Sequence, residues 1–119
     1  MKLYLTRPSK LNFDWQSLLN SYRQVVKPES VVLEIGSSVK ERTLELSRHC
    51  HRLIGVEIDP ERTPRDYGNI EYVTADWQNL SDTIQPDSID VAVSSHVIEH
   101  VADDLKALNE LFKILKPGG

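Results

Sequence analysis

Apolar residues fall along this chain in two alternating rhythms. At Trp15, Leu18, Leu19, Tyr22, Val25 and Val26 they recur every three or four positions, the spacing that lines one face of an α-helix. This predicts a helix over Asn12–Val26, which Asn12 or Asp14 can cap and Pro28 closes. At Val31, Val32, Leu33 and Ile35 the apolar residues form a short run rich in β-branched side chains, as in a strand buried on both faces. Gly36 stops that run. Ser37 and Ser38 can each cap a helix, and residues 40–49 are helix-permissive, with Val39, Thr43, Leu44 and Leu46 as the inward positions. A strand, a glycine turn and a helix start make a nucleotide-binding loop, because glycine lets a ligand approach the backbone and the helix start offers unpaired N–H groups.

The alternation repeats downstream. Arg52–Ile58 reads as the second strand, and Asp59-Pro60-Glu61 as the cap and first turn of a short helix punctuated by Pro64 and Gly68. Ile70–Thr74 is the third strand, and residues 78–87 are a polar connection with one helical turn. Ile89–Val93 is the fourth strand. Val101, Leu105, Leu108, Leu111, Phe112 and Leu115 then mark an amphipathic helix, with Asp103 and Asp104 in its first turn and Lys113 and Lys116 in its last. Before all of these, Lys2–Thr6 forms a short strand or an ordered arm that Pro8 ends.

A helix followed by alternating strands and helices implies an α/β fold with a parallel sheet and right-handed crossovers. Ligands of such sheets lie beyond the C-terminal strand ends. Glu34 and Gly36, Glu57, Asp76, and Ser94 to His96 converge there. Glu57 stands where a carboxylate accepts hydrogen bonds from two ribose hydroxyls. Asp76 can accept from an exocyclic amine such as adenine N6, and the Trp77 ring or backbone N–H can complete a base pocket.

Composition narrows the partners. A chain of 119 residues is expected to form one compact domain, with an arm and helix over 1–30 and a Rossmann-like unit over 31–119. A net charge of −4 with scattered basic residues gives no footprint for nucleic acid or an anionic membrane. The apolar run Leu3-Tyr4-Leu5 is too short for a signal peptide. Cys50 is the only cysteine, so no intrachain disulfide can form and a reducing, cytoplasmic setting is expected. Cations near Cys50 would lower its pKa, against the plainer reading of an inert thiol.

The motifs, taken together, resemble a family. Val32-Leu33-Glu34-Ile35-Gly36, Gly55-Val56-Glu57-Ile58-Asp59, Ala75-Asp76, Asp87-Ser88-Ile89-Asp90-Val91, Val97-Ile98-Glu99-His100-Val101 and Leu115-Lys116-Pro117-Gly118-Gly119 look like the successive motifs of class I S-adenosylmethionine-dependent methyltransferases. The resemblance is greatest to the small-molecule branch with "LEH" and "LKPGG" signatures. It implies S-adenosylmethionine as cofactor and a small-molecule methyl acceptor. By position, it implies that Glu34 lies near the methionine ammonium, Gly36 and Ser37 pass beneath the methionine moiety, and Glu57 holds the ribose diol. Ile58 would pack on adenine, Asp76 and the Trp77 backbone would read its edge, and the Ser94 carbonyl would meet the ammonium.

The chain departs from the family in two ways. Ser38 and Lys40 replace the second and third glycines of the loop. The family sheet runs 3-2-1-4-5-7-6, and this chain stops before the fifth strand. The resemblance therefore implies a truncated sheet, 3-2-1-4, whose fourth strand has an open edge that a homodimer would cover.

Other readings of the same residues remain. His96-Val97-Ile98-Glu99-His100 fits the H-x-x-E-H zinc pattern, with His96 and His100 as ligands and Glu99 as base, but no third ligand is evident and no metal is expected. Glu99 and His100 are also the candidates for moving a substrate proton. A non-catalytic binding or assembly module keeps the fold without the reaction. A dehydrogenase is disfavoured because the turn lacks G-x-G-x-x-G spacing. Trp15 and Tyr22 are read as core, or as part of a helix that lids the pocket.

Overall fold

Four parallel strands run in the order β3-β2-β1-β4: β1 Val31–Ile35, β2 Arg52–Glu57, β3 Ile70–Thr74 and β4 Val91–Ser94. Among the described residues three α-helices accompany them: α1 Trp15–Val25, α2 Lys40–Ser47 and α3 Asp104–Ile114. The computed structural model describes residues 15–37, 39–95 and 97–119. The expected N-terminal arm, the caps Asn12 and Asp14, and Ser38 and His96 lie outside the described residues.

The sheet is covered on both faces, which is why its strands read as nearly continuous apolar runs. On one face Val32, Leu53 and Ile70 pack under Leu18, Leu19 and Tyr22 of α1 and Leu46 of α2. The Tyr22 hydroxyl donates to the Leu46 carbonyl at 2.7 Å, joining the two helices. On the other face Leu33, Ile35, Ile54 and Val56 meet Trp77 and Leu80 of a 3₁₀ segment, Trp77–Asp82, and Ala107 and Ile114 of α3. Alternate side chains of β1 and β2 thus serve opposite layers.

Several elements differ from their sequence reading. No helix follows Asp59. The segment is a turn in which the Asp59 side chain accepts from the Glu61 N–H at 2.9 Å and the Asp59 carbonyl accepts from the Thr63 hydroxyl at 2.9 Å. Pro60 and Pro64 leave too few backbone donors between them for a helix. The fourth strand pairs only from Val91. Ile89 instead engages the end of α3, donating to Ile114 and accepting from Lys116, while Asp90 Oδ2 accepts from the Val31 N–H at 2.8 Å.

The inward face of α3 is also not the expected one. Ala107, Glu110 and Ile114 are buried, while Leu105 and Phe112 are about two-thirds exposed. Val39, expected to point inward, is 44% exposed. Among the described residues, no helix is long and apolar enough to cross a membrane.

Candidate functional site

A cavity of about 330 Å³ opens at the C-terminal ends of the strands, within the size range of small-molecule sites. Its floor is Glu34 and Gly36 of the first strand and turn, and Glu57 closing β2. Val93 of β4, with Ser95 and Val97 after it, forms one wall. Trp15 and Leu18 of α1 and Arg42 of α2 form another, and Arg62 stands beyond Glu57.

The Gly36 turn needs glycine for two reasons. Its φ is +79°, and a Cβ there would come within 2.4 Å of Val97 Cγ2. Glu34 is 8% exposed, and its Oε1 accepts from the Thr43 hydroxyl. Burial pushes its carboxyl up to about 7, while the Thr43 bond and the Arg42 charge pull the other way. Glu57 is 9% exposed and turned back on its own loop. Its Oε1 accepts from the Ile58 N–H at 3.1 Å and the Asp59 N–H at 3.3 Å. Those bonds hold the carboxylate at the cavity edge.

Of the strand-end residues singled out in the sequence, the structure brings Glu34, Gly36, Glu57 and Ser95 into the cavity. Ser37, Ile58, Asp76, Trp77, Ser94, Glu99 and His100 do not line it. Asp76 caps the 3₁₀ segment, its Oδ1 accepting from the Gln78 N–H at 2.9 Å. The Trp77 ring is buried in the core, and its indole nitrogen has no hydrogen-bond partner among the described residues. The Ser37 hydroxyl is likewise buried and unpartnered among them. Ile58 is exposed beside Glu57, and Ser94 ends β4 one residue before the lining Ser95.

Glu99 and His100 form an exposed pair at 3.9 Å. Ile98–His100 is a single 3₁₀ turn rather than the α-helix the zinc reading needs. Burial pushes the Cys50 thiol up, so the cationic neighbourhood does not make it a thiolate.

Sequence reasoning missed Arg42, Arg62 and Val97 as cavity residues. Trp15 is partly buried against the core and also lines the cavity, whereas Tyr22 is core. Lys40, the loop cation noticed in the sequence, does not line the cavity. The missed signal was helical spacing: Arg42 lies beyond the loop, in the first turn of α2.

Comparison with known proteins gives a consistent result. The family model described as a methyltransferase domain matches residues 33–119. The ubiquinone/menaquinone biosynthesis C-methyltransferase UbiE of Vibrio campbellii is 30% identical over 105 residues, covering 78% of this chain and 40% of that protein. Nodulation protein S of Rhizobium tropici is 33% identical over 110 residues, covering 87% of this chain and 45% of that protein. A SAM-dependent methyltransferase from Aquifex aeolicus shares the fold, with a TM-score of 0.73 at 16% identity over 86% of this chain and 58% of that one. The chain therefore spans less than half the length of these two sequence relatives. With its 3-2-1-4 parallel sheet and a family match across nearly all of that sheet, the chain belongs to the methyltransferase domain family.

Proposed function

We propose that the cavity at the strand ends holds S-adenosylmethionine, and that the chain is the cofactor-binding part of an enzyme methylating a small molecule. The observation that carries this reading is the position of Glu57. It is a buried carboxylate fixed by two backbone N–H groups at the end of β2, on a cavity whose floor also holds Glu34. Such an acceptor set suits a nucleoside with an amino-acid tail. A carboxylate accepts from a ribose diol, a second accepts from an ammonium, and the glycine turn admits the chain between them.

When bound, the cofactor supplies an electrophilic methyl group on a sulfonium. The protein's own part is alignment of that group with a nucleophile. Glu34 and the Ser94 carbonyl take the ammonium end, and Gly36 and Ser37 run beneath the methionine moiety. Glu57 holds the ribose. The exposed Ile58 covers adenine, and Asp76 and the Trp77 backbone N–H read its edge. Glu99 and His100 are the candidates for taking a proton from the acceptor.

We further propose a cytoplasmic setting, on the lone Cys50, and a second copy of the chain against the open edge of β4. Lys106 and Glu110 of α3 reach the 77–82 segment through Asn79 and the Ser81 N–H. Leu105 and Phe112 are exposed on another side of the helix. Its acidic first turn and basic last turn complement a second α3 running antiparallel. Phe112→Lys would then shift the mass in solution to that of a monomer, and a wild-type monomer would rule the pairing out.

Calorimetric titration with S-adenosylmethionine and S-adenosylhomocysteine tests the cofactor site. Saturable binding at about micromolar level, lost in Glu57→Ala, is the expected result. A folded protein that binds neither would be a binding or assembly module instead.

A further inference from the structure

We propose that a second cavity, at the opposite end of the sheet, binds the phosphate group of a small organic phosphate monoester through Arg23 and Arg48. It shares no lining residue with the strand-end cavity, so the proposal stands apart from the cofactor reading.

The cavity has a volume of about 330 Å³ and is lined by Arg23, Val26, Pro28, Arg48, His49 and Cys50. Arg23 belongs to the last turn of α1, and Val26 and Pro28 precede β1. Arg48 to Cys50 lie between the end of α2 and the start of β2. In a parallel sheet these segments meet at the N-terminal ends of the strands. Arg23 and Arg48 are exposed, whereas Val26, His49 and Cys50 are half-buried. Charge therefore sits at the mouth and apolar surface deeper in, which suits a ligand with an anionic head and a small apolar body. Among the described residues no carboxylate lines the cavity. Burial pushes the Cys50 thiol up, so it stays uncharged at neutral pH. Two guanidiniums and an imidazole thus share one cavity in a chain whose net charge is −4.

Basic residues at a helix C-terminus ordinarily answer the helix dipole and its free carbonyls. Here those carbonyls have other partners. The Glu45 carbonyl accepts from the Arg48 N–H, and the Leu46 carbonyl from the His49 N–H and the Tyr22 hydroxyl. Asn69 Nδ2 donates to the Ser47 carbonyl at 2.8 Å and to the Cys50 carbonyl at 3.2 Å. The Arg48 guanidinium makes no hydrogen bond or ion pair among the described residues. Arg23 meets Glu45 at 3.8 Å, longer than a charge-assisted hydrogen bond, and such an exposed pair is readily exchanged. A carboxylate is satisfied by one guanidinium fork. A phosphate dianion has oxygens and charge enough for two, so a pair of arginines from two helices favours phosphate.

The test is calorimetric titration of the full chain with phenyl phosphate, with benzoate as the carboxylate control and amide NMR shifts recorded on the same sample. Phenyl phosphate should bind with a Kd of about 1 mM or tighter. It should shift the amides of residues 23–26 and 48–50, not those of 34–36 at the other cavity. Benzoate should bind at least about tenfold more weakly. Arg23→Gln and Arg48→Gln should each weaken phenyl phosphate by about tenfold, the scale of a hydrogen bond between charged groups. Both side chains are exposed, so the variants should keep the wild-type amide spectrum elsewhere, which reports that they are folded. Arg52 is a neighbouring charge that pairs with Glu71 and does not line the cavity. Arg52→Gln should therefore change the affinity by less than about twofold. No saturable binding, shifts confined to 34–36, equal affinity for benzoate, or an Arg52→Gln loss as large as that of Arg48→Gln would each overturn the proposal.

Discussion

Thr43, in the first turn of α2, donates its hydroxyl to Oε1 of Glu34 within β1. The bond ties the helix to the strand beneath it and leaves a carboxyl buried at the cavity floor, its pKa raised from near 4.5 to about 7, chiefly by burial. Between those two values the folded protein keeps a proton that the unfolded chain releases. The associated stability is complete below about pH 4.5 and is lost as the pH rises through about 7. The shift is worth roughly 3 kcal/mol at most. The urea midpoint of the wild type should fall between those pH values, and Glu34→Gln should flatten the fall. A wild-type midpoint that stays level across the window would contradict the buried, protonated carboxyl.

Glu110 predicts the opposite dependence at the acid end. Its Oε1 accepts from Lys113 Nζ at 2.9 Å and its Oε2 from the Ser81 N–H at 2.8 Å. The Lys113 bond, followed by those from Ser81, holds the carboxyl down at about 2. Its contribution is present above about 4.5 and lost as the pH falls through about 2. Glu110→Ala should cost about 1–3 kcal/mol at neutral pH, read from denaturant unfolding, because the Ser81 N–H loses its acceptor.

At Gly36, an alanine would meet both a strained backbone and the methyl group of Val97. Gly36→Ala should destabilise by about 1–3 kcal/mol. Adding Val97→Ala should recover the steric share and leave the conformational share. Full recovery in the double variant would show that the positive φ costs nothing.

Asp76 has a structural role that a binding experiment must be separated from. Asp76→Ala removes the cap of the 77–82 segment and should cost about 1 kcal/mol, whereas Asp76→Asn keeps the cap and should cost little. Thermal midpoints of the two variants settle the structural share. Any loss of cofactor affinity in Asp76→Asn then belongs to charge at the site.

Much of the fold was legible because its signals are local. The largely apolar runs at 31–35 and 53–56 and the helical spacing at 15–26 each identify an element from adjacent residues. Which face of α3 would be buried was not legible. Leu105 and Phe112 strengthen the helical pattern but point outward, while the inward positions include small Ala107 and charged Glu110. Glu110 is accommodated there by partners that include Ser81, twenty-nine positions away. The same holds at the cavity. Glu34, Gly36 and Glu57 are marked by their places at the first two strands, whereas Arg42 and Trp15 meet only through the packing of two helices. The helix expected after Asp59 failed because a proline that starts a helix well does not sustain one with a second proline four residues on.

The cavity wall supplied by α1 has a thermodynamic consequence. That helix is held to the sheet through Leu18, Leu19 and Tyr22, and it brings Trp15 to the cavity. Any ligand that touches Trp15 shares its binding free energy with the docking of the whole helix. Amide hydrogens of residues 18–25 should therefore exchange more slowly when the cavity is filled, although most of that segment lies outside the binding site. Conversely, changes that loosen α1 at Tyr22, remote from the strand ends, would weaken affinity without altering a single contact to the ligand.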